Sequence, residues 1–162
     1  MGHRRVNVKS LKGRKEFVIS RIPISIYTDG SCIGNKMGCP GGWAAILVHP
    51  KKELVISGND PYTTNNRMEL TAVIEGIRRL KSPCEITIHA DSTYVMMSRE
   101  RWKKFKAQKT RKNEDLWDEF MQVVRDGKHY VHFQHVEAHA GHEYNERCDK
   151  LAKEKAKEAK AL

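Results

Sequence analysis

The fold predicted for this chain is organised around residues 21–31, which read Arg-Ile-Pro-Ile-Ser-Ile-Tyr-Thr-Asp-Gly-Ser. Isoleucine at every second position, 22, 24 and 26, is the period-two pattern of a β-strand. Gly30 ends this strand and leaves Asp29 at its carboxyl end. Because sheet proteins collect their chemistry at the carboxyl ends of strands, Asp29 is the first candidate functional residue.

The rest of the chain reads as further strands and helices. Short connections join the first three strands, which therefore form an antiparallel meander, whereas the last two strands are each reached through helices. We predict an α/β fold with a mixed five-stranded sheet and helices packed on both faces. After the first strand, the predicted strands are 43–49, 53–58, 85–90 and 130–136, and the predicted helices are 66–80, one from Thr93, 113–126 and 143–160. Residues 31–42 and 61–65 are predicted loops, and Asn65 or Asn66 is the predicted cap of the first helix.

The net charge of +10 is concentrated in two segments. Residues 1–21 carry seven basic side chains and one acid, residues 99–112 carry eight and one, and the rest of the chain has 15 basic and 18 acidic residues. Segments of this kind favour binding to an anionic partner such as nucleic acid. The alternative is that their charge only keeps the protein soluble. We predict a basic N-terminal arm over residues 1–21 and one catalytic domain over residues 22–162.

Cysteine spacing and hydropathy narrow the location of the protein. The four cysteines are too scattered for a Cys-x-x-Cys metal site and too few for a disulfide framework. No run approaches the roughly 20 apolar residues of a membrane span, and the N-terminus lacks the apolar core of a signal peptide. We therefore predict a reducing, cytoplasmic location and no membrane partner.

Helical periodicity singles out two more acids. At 100° per residue, Glu69 lies about 70° from the centre of the apolar stripe of the first helix, and Asp149 about 80° from that of the last helix. A carboxylate at the edge of a buried face needs a metal ion or a hydrogen-bonding partner. The two stripes are Leu70, Val73, Ile74, Ile77 and Leu80, and Cys148, Leu151, Ala152, Ala156 and Ala159.

Asp91 follows the strand 85–90 directly, so it is a second acid at the carboxyl end of a strand. It is either a functional carboxylate, like Asp29, or an ordinary N-cap of the helix from Thr93. Four acids without an evident basic partner would repel one another if they were clustered. Divalent cations relieve this repulsion, and oxygen ligands favour Mg²⁺, which works in pairs about 4 Å apart in phosphodiester hydrolysis. The alternative is that the four acids are unconnected surface groups.

The basic segment 99–112 also contains Trp102 and Phe105. Aromatic side chains among Lys and Arg suit a surface that stacks on sugars or bases while neutralising phosphates. Trp102 could equally anchor this segment to the core.

Five separated motifs closely resemble the type 1 ribonuclease H family, in its bacterial ribonuclease HI form. The resemblance runs in matching order from about Ile24 to Ala156. The motifs are Tyr27-Thr28-Asp29-Gly30-Ser31-Cys32 with Gly34-Asn35, Thr63-Thr64-Asn65-Asn66-Arg67-Met68-Glu69-Leu70, Asp91-Ser92 before Tyr94-Val95, Asn113 with Asp115-Leu116-Trp117, and His139-Ala140-Gly141-His142 followed by Asn145-Glu146-Arg147-Cys148-Asp149.

This resemblance implies a monomeric ribonuclease H fold that hydrolyses the RNA strand of RNA/DNA hybrids and leaves 3′-hydroxyl and 5′-phosphate ends. It implies that two Mg²⁺ ions, with Mn²⁺ a possible substitute, bind to Asp29, Glu69, Asp91 and Asp149. It gives His139 a role in proton transfer or product release. The implied substrate contacts are Cys32, Asn35, Asn65, Asn66 and Thr93, with the DNA-strand phosphate near Thr64 and Asn113.

Two departures from the family pattern concern substrate binding. The basic segment between Tyr94 and Asn113 is shorter than in the best-known bacterial members, and Thr93 replaces a longer amide. Two other functions stay open at this point: a hybrid-binding module without catalysis, and a DNA strand-transfer enzyme on the same fold. Intact carboxylates disfavour the first, and the absence of a DNA-targeting domain disfavours the second.

Overall fold

The computed structural model describes residues 5–9, 15–34, 38–96, 112–137 and 142–162, with backbone only for 5–9 and 15–19. The strands are β1 (Arg5–Lys9), β2 (Lys15–Ile19), β3 (Ile22–Cys32), β4 (Cys39–His49), β5 (Lys52–Thr63), β6 (Cys84–Ala90) and β7 (Tyr130–His135). The helices are α1 (Asn65–Arg78), α2 (Glu114–Asp126) and α3 (Glu143–Lys160), with a further helical turn at residues 93–96.

Strands β3 to β7 form one mixed sheet in the order β5-β4-β3-β6-β7. Strand β4 pairs antiparallel with both β3 and β5, because each connection is too short for a crossover. Strands β3, β6 and β7 run parallel, because helices connect them. The predicted five-stranded mixed sheet with an antiparallel meander is therefore confirmed, and its central strand is the predicted organising strand β3.

Helices cover both faces of this sheet. Helices α1 and α2 pack on one face over the larger apolar core, and α3 packs on the other face against β3, β4 and β5. Burying each large aliphatic side chain contributes about 1.5–3 kcal/mol. The side chains that are almost completely buried include Ile26, Ile46, Leu70, Ile74, Ile77, Ile86, Ile88 and Cys148.

Several element boundaries differ from the prediction. Strand β5 continues to Thr63, so the loop predicted at 61–65 is wrong over its first three residues. The N-cap of α1 is Thr64, whose Oγ1 accepts a hydrogen bond from the Arg67 backbone N–H at 3.2 Å, and not Asn65 or Asn66. Strand β4 begins at Cys39 because its glycines still pair with both neighbouring strands.

The N-terminal residues contribute a separate two-stranded sheet, in which β1 pairs antiparallel with β2. Only residues 20 and 21 separate β2 from β3. Arg21 anchors this junction, since its Nε donates to the Lys128 carbonyl at 2.9 Å and its guanidinium lies 3.8 Å from the ring centroid of Tyr130. Among the described helices, none has the length and hydrophobicity that crossing a membrane requires.

Candidate active site

Two of the predicted acids meet because their strands are neighbours. Strands β3 and β6 are parallel and adjacent, and Tyr27 pairs with His89 in the register. Asp29 and Asp91 each lie two residues farther along, so both side chains stand at the same edge of the sheet. Asp29 is only 4% exposed, and its Oδ1 accepts a hydrogen bond from the Gly30 backbone N–H at 2.9 Å.

Helix α1 brings the third acid to the same place. Glu69 is 4% exposed and projects from the first part of α1. The helix approaches β3 so closely that a Cβ on Gly30 would stand 2.3 Å from the backbone nitrogen of Glu69. Only glycine at position 30 permits this contact, which explains why a glycine follows Asp29.

Asp29, Glu69 and Asp91 form a compact carboxylate cluster. One oxygen from each residue lies within 4.8 Å of the other two. Burial raises the pKa of Asp29 to about 7, with a further contribution from Asp91. Burial, followed by the charge of Asp29, raises the pKa of Glu69 well above its ordinary value. Three oxygen donors that repel one another in a buried place are the ligand set of a divalent cation.

One atom in this cluster supports a metal directly. The Oε2 atom of Glu69 is buried and has no hydrogen-bond partner within the described parts of the chain. A buried carboxylate oxygen without a partner is costly, because it has lost its hydration. A cation bound between the three acids would supply the missing partner, so the residues present fit a divalent metal.

Asp149, the fourth predicted ligand, lies beside the cluster and outside the group of three. Its side chain is 27% exposed on α3, and its Oδ2 accepts a hydrogen bond from Lys153 Nζ at 2.9 Å. The charge of Asp149 also contributes to the raised pKa of Asp29, after larger contributions from burial and Asp91. The structure therefore places Asp149 within electrostatic reach of the cluster but paired with a lysine.

Thr64 and Asn113, the predicted contacts of a DNA-strand phosphate, are brought together by Arg67. The Arg67 backbone N–H donates to Thr64 Oγ1, and Nη1 donates to Asn113 Oδ1 at 3.3 Å. The guanidinium also makes two hydrogen bonds to Asp115, at 2.9 and 2.7 Å. Arg67 belongs to the motif at residues 63–70, but no sequence pattern predicted that it would connect Thr64 and Asn113.

Asn113 is held on its other side by Tyr94. The side-chain amide of Asn113 donates to the Tyr94 hydroxyl at 3.0 Å, and the indole N–H of the buried Trp117 donates to the same hydroxyl at 3.1 Å. Asn113 has a left-handed backbone with φ of 59°. A single network thus links α1, α2 and the helical turn at residues 93–96.

The remaining predicted substrate contacts fall into two groups. Asn65, Asn66 and Thr93 are exposed, and Cys32 is half-buried at the end of β3. Burial, followed by Cys39, raises the pKa of the Cys32 thiol to about 12, so this side chain stays neutral. Asn35, Trp102 and His139 lie outside the residues that the structure describes.

The sheet order places the chain in the ribonuclease H-like fold class, and the carboxylate cluster lies at the carboxyl ends of its neighbouring strands β3 and β6. The chain belongs to the RNase H family, whose profile matches residues 22–157. It is therefore a ribonuclease H, a phosphodiester hydrolase, by family membership.

Known proteins with similar sequences carry the same family name. A Ribonuclease H from Thermoanaerobacter pseudethanolicus is 45% identical over 143 residues, which cover 83% of this chain and 90% of that protein. A Ribonuclease H from Chlorobium phaeovibrioides is 42% identical over 140 residues, covering 80% of this chain and 92% of that protein.

Solved structures share the fold. The crystal structure of LC9-RNase H1, a type 1 RNase H with the type 2 active-site motif, has a TM-score of 0.74 at 30% identity and covers 88% of this chain and 75% of that chain. LC11-RNase H1 in complex with RNA/DNA hybrid has a TM-score of 0.67 at 24% identity, covering 84% and 98%. At 24% identity, the similarity to LC11-RNase H1 shows only that the two chains share a fold.

Proposed function

We propose that this protein is an endonuclease that hydrolyses the RNA strand of RNA/DNA hybrids with two Mg²⁺ ions and leaves 3′-hydroxyl and 5′-phosphate ends. The observation that carries the proposal is the cluster of Asp29, Glu69 and Asp91, together with the buried Glu69 Oε2, which has no hydrogen-bond partner among the described residues. Membership of the RNase H family supports the substrate class.

The four predicted carboxylates would hold the metal. Asp29, Glu69 and Asp91 supply three close oxygens, and Asp149 supplies a fourth once its ion pair with Lys153 opens. Bound Mg²⁺ would supply the Lewis acidity that activates water and stabilises the leaving oxygen, and Mn²⁺ has a similar preference for oxygen ligands. The folded chain already holds Asp29 and Glu69 close together without a metal ion, because both side chains are buried and Gly30 allows α1 to approach β3. The free-energy cost of bringing their charges together is therefore part of the folding free energy.

The protein residues around the cluster bind and orient the hybrid. We propose that Thr64 and Asn113, joined by Arg67, hold a phosphate of the DNA strand. Short polar side chains suit minor-groove edges and the 2′-hydroxyl that distinguishes RNA from DNA. These proposed contacts are Cys32, Asn35, Asn65, Asn66 and Thr93. Trp102 is proposed to stack on a sugar or base of the hybrid, and His139 to take part in proton transfer or product release.

The proposal also covers the domain organisation, the oligomeric state and the cellular location of the protein. The chain divides into a basic arm over residues 1–21 and a catalytic domain over residues 22–162. The active form is a monomer. None of the four cysteines, all of which the structure describes, forms a disulfide, and this supports a reducing, cytoplasmic location.

A cleavage assay with a metal series tests the proposal. End-labelled RNA/DNA hybrid, RNA duplex and DNA duplex of one sequence are incubated with the protein in EDTA, Mg²⁺ or Mn²⁺. We expect cleavage of the hybrid RNA strand alone, with either metal and not in EDTA. Product ends are identified by whether a 5′-phosphate-dependent exonuclease degrades them.

The competing functions give different results in this assay. Hybrid binding without cleavage would indicate a binding module, and cleavage of the DNA duplex with an intact hybrid would indicate a strand-transfer enzyme. Asp91→Asn should abolish hybrid cleavage, whereas Asp118→Asn, an exposed position on α2, should retain it. Near-normal turnover by the Asp91→Asn variant would contradict the metal assignment.

A further inference from the structure

Tyr62 is a large aromatic side chain held in solvent beside the proposed substrate site. It is 75% exposed, far more than Leu54 or Val55 on the same strand. Tyr62 lies two residues before Thr64, at the end of β5 that leads into α1. Two strand steps and five helix steps separate the Cα atoms of Tyr62 and Glu69 by about 14 Å along the chain, which is the length of about four base pairs.

A β-bulge directs this side chain. Between β4 and β5, the register shifts from Cys39 opposite Thr63 to Gly41 opposite Asp60, which leaves one extra residue on β5 at positions 61 and 62. Bulges of this kind at sheet edges re-aim a side chain and are frequent beside active sites. The Tyr62 backbone N–H donates to Asp60 Oδ1 at 2.9 Å, and this hydrogen bond fixes the local turn.

Gly38 supports one side of the ring. A Cβ on Gly38 would stand 2.3 Å from Cε2 of Tyr62, so the ring lies directly on the bare backbone of the glycine-rich segment. Gly38 has φ of +86°, and its N–H donates to the Thr63 carbonyl at 3.1 Å. The ring is therefore positioned on one side and open to solvent on the other, which is the arrangement of a stacking surface.

The position of the ring indicates which part of the substrate it meets. This step rests on the proposed function, in which Thr64 and Asn113 hold a phosphate of the DNA strand. The next group along that strand is a deoxyribose, whose C2′ methylene offers an apolar face. A ribose would present its 2′-hydroxyl, and covering that hydroxyl with an aromatic ring leaves it without a hydrogen-bond partner.

We propose that Tyr62 stacks on a deoxyribose of the DNA strand next to the phosphate held near Thr64, and that it helps the enzyme to distinguish a hybrid from an RNA duplex. Tyr62 is thus a specificity-determining substrate contact. Its role does not require the phenolic hydroxyl, because the apolar ring makes the contact.

Steady-state cleavage of a hybrid in Mg²⁺ by four proteins tests this proposal: wild type, Tyr62→Ala, Tyr62→Phe and Tyr130→Ala. Tyr130 is the matched control, since it is 59% exposed and begins β7, at the other edge and the opposite end of the sheet. We expect Tyr62→Ala to raise KM at least about fivefold with kcat within about twofold, and the other two variants to match wild type. An unchanged KM for Tyr62→Ala, or a Tyr62→Phe variant as impaired as Tyr62→Ala, would overturn the proposal.

A ribonucleotide scan of the DNA strand tests the sugar contact separately. Hybrids with one ribonucleotide at successive DNA-strand positions should show one position where the wild-type KM rises and the Tyr62→Ala KM does not. A scan in which the wild-type KM rises at no position would overturn the sugar assignment even if the alanine variant failed to fold. If wild type cleaves the hybrid and the scan is flat, only this inference fails; if wild type does not cleave the hybrid, the proposed function fails with it.

Discussion

Gly30 and Glu69 touch through their backbones, and this contact sets the geometry of the carboxylate cluster. A Cβ at position 30 would lie 2.3 Å from the Glu69 nitrogen and 2.5 Å from the Met68 carbonyl carbon. Backbone atoms cannot move aside as the end of a flexible side chain can. The residue that ends the Asp29 strand therefore also determines where Glu69 stands.

The first prediction concerns Gly30→Ala. The added methyl group must push α1 away from β3, and a displacement of about 1 Å at a catalytic group lowers turnover by about 100-fold. We expect kcat to fall by about that factor and the free energy of unfolding by about 1–3 kcal/mol. Gly76→Ala is the control. Gly76 lies on the same helix as Glu69 but away from the cluster, and a methyl group there would stand 3.0 Å from Ile26 Cγ2. Equal losses of kcat in the two variants would contradict the contact described here.

The second prediction concerns the stability of the metal-free protein. The pKa of Asp29 is raised from 3.8 to about 7, so between these values the unfolded chain has released a proton that the folded protein keeps. The contribution of Asp29 to folding stability is therefore fully present below pH 3.8. It falls as pH rises toward 7, by at most about 4 kcal/mol. Urea unfolding in EDTA should show that Asp29→Asn removes much of this fall. Adding Mg²⁺ at pH 7 should stabilise wild type more than Asp29→Asn.

The third prediction separates Asp149 from the other acids. Asp149 lies outside the group of three and is paired with Lys153, so its removal leaves the close oxygens in place. We expect Asp149→Asn to lower kcat yet retain a Mg²⁺-induced rise in melting temperature, and Asp91→Asn to lose most of that rise. Lys153→Ala should change stability by under about 1 kcal/mol, because the ion pair is largely exposed. Loss of the Mg²⁺ response in Asp149→Asn alone would show that this acid is the principal ligand.

The sequence was sufficient for the features that periodicity controls. Alternating isoleucines located β3, and the order of elements predicted a mixed sheet with Asp29 and Asp91 each at the carboxyl end of a strand. The sequence did not predict that β3 and β6 are neighbours, and this pairing brings the two acids together. The angle of Glu69 to its apolar stripe predicted its buried edge position. Each of these inferences depends on repeating local geometry, which a sequence records directly.

Features that depend on tertiary contacts were not predictable. Thr64, Asn65 and Asn66 are all good N-caps, so propensity could not choose between them. The helical angle between Asp149 and the apolar stripe predicted that Asp149 lies at the edge of the buried face of α3. That angle could not predict the distance between Asp149 and the other three acids. Pro61 signalled a loop, whereas the pairing of Thr63 with Cys39 across a bulge extends the strand.

The fourth prediction concerns the Tyr94 hydroxyl, which accepts hydrogen bonds from Asn113 and the buried Trp117. Tyr94→Phe leaves the indole N–H of Trp117 buried without that partner, which costs about 1–3 kcal/mol of folding stability. Because Asn113 also loses its support, KM for the hybrid should rise severalfold while kcat changes less. Tyr130→Phe is the control for removing an exposed hydroxyl. A Tyr94→Phe variant with wild-type stability and KM would show that the network does not position Asn113.

The fifth prediction concerns His129, which lies far from the proposed metal ligands in the sheet. Its side chain is buried, and its Nδ1 accepts a hydrogen bond from the Cys84 backbone N–H at 3.0 Å. Burial, with a smaller contribution from Arg21, lowers the pKa of His129 below 6.5. As pH falls below 6.5, the unfolded chain takes up a proton that the folded protein resists.

The stability contributed by His129 is therefore fully present above pH 6.5 and is lost as pH falls toward its lowered pKa. This slope is opposite to that from Asp29, so the variant must be compared with wild type at each pH. We expect the difference in unfolding free energy between wild type and His129→Gln to shrink from pH 7 to pH 5. His132→Gln, at an exposed position on β7, is the matched control for removing a histidine side chain that is not buried. A constant difference for His129→Gln would mean that the folded protein accommodates the charged ring.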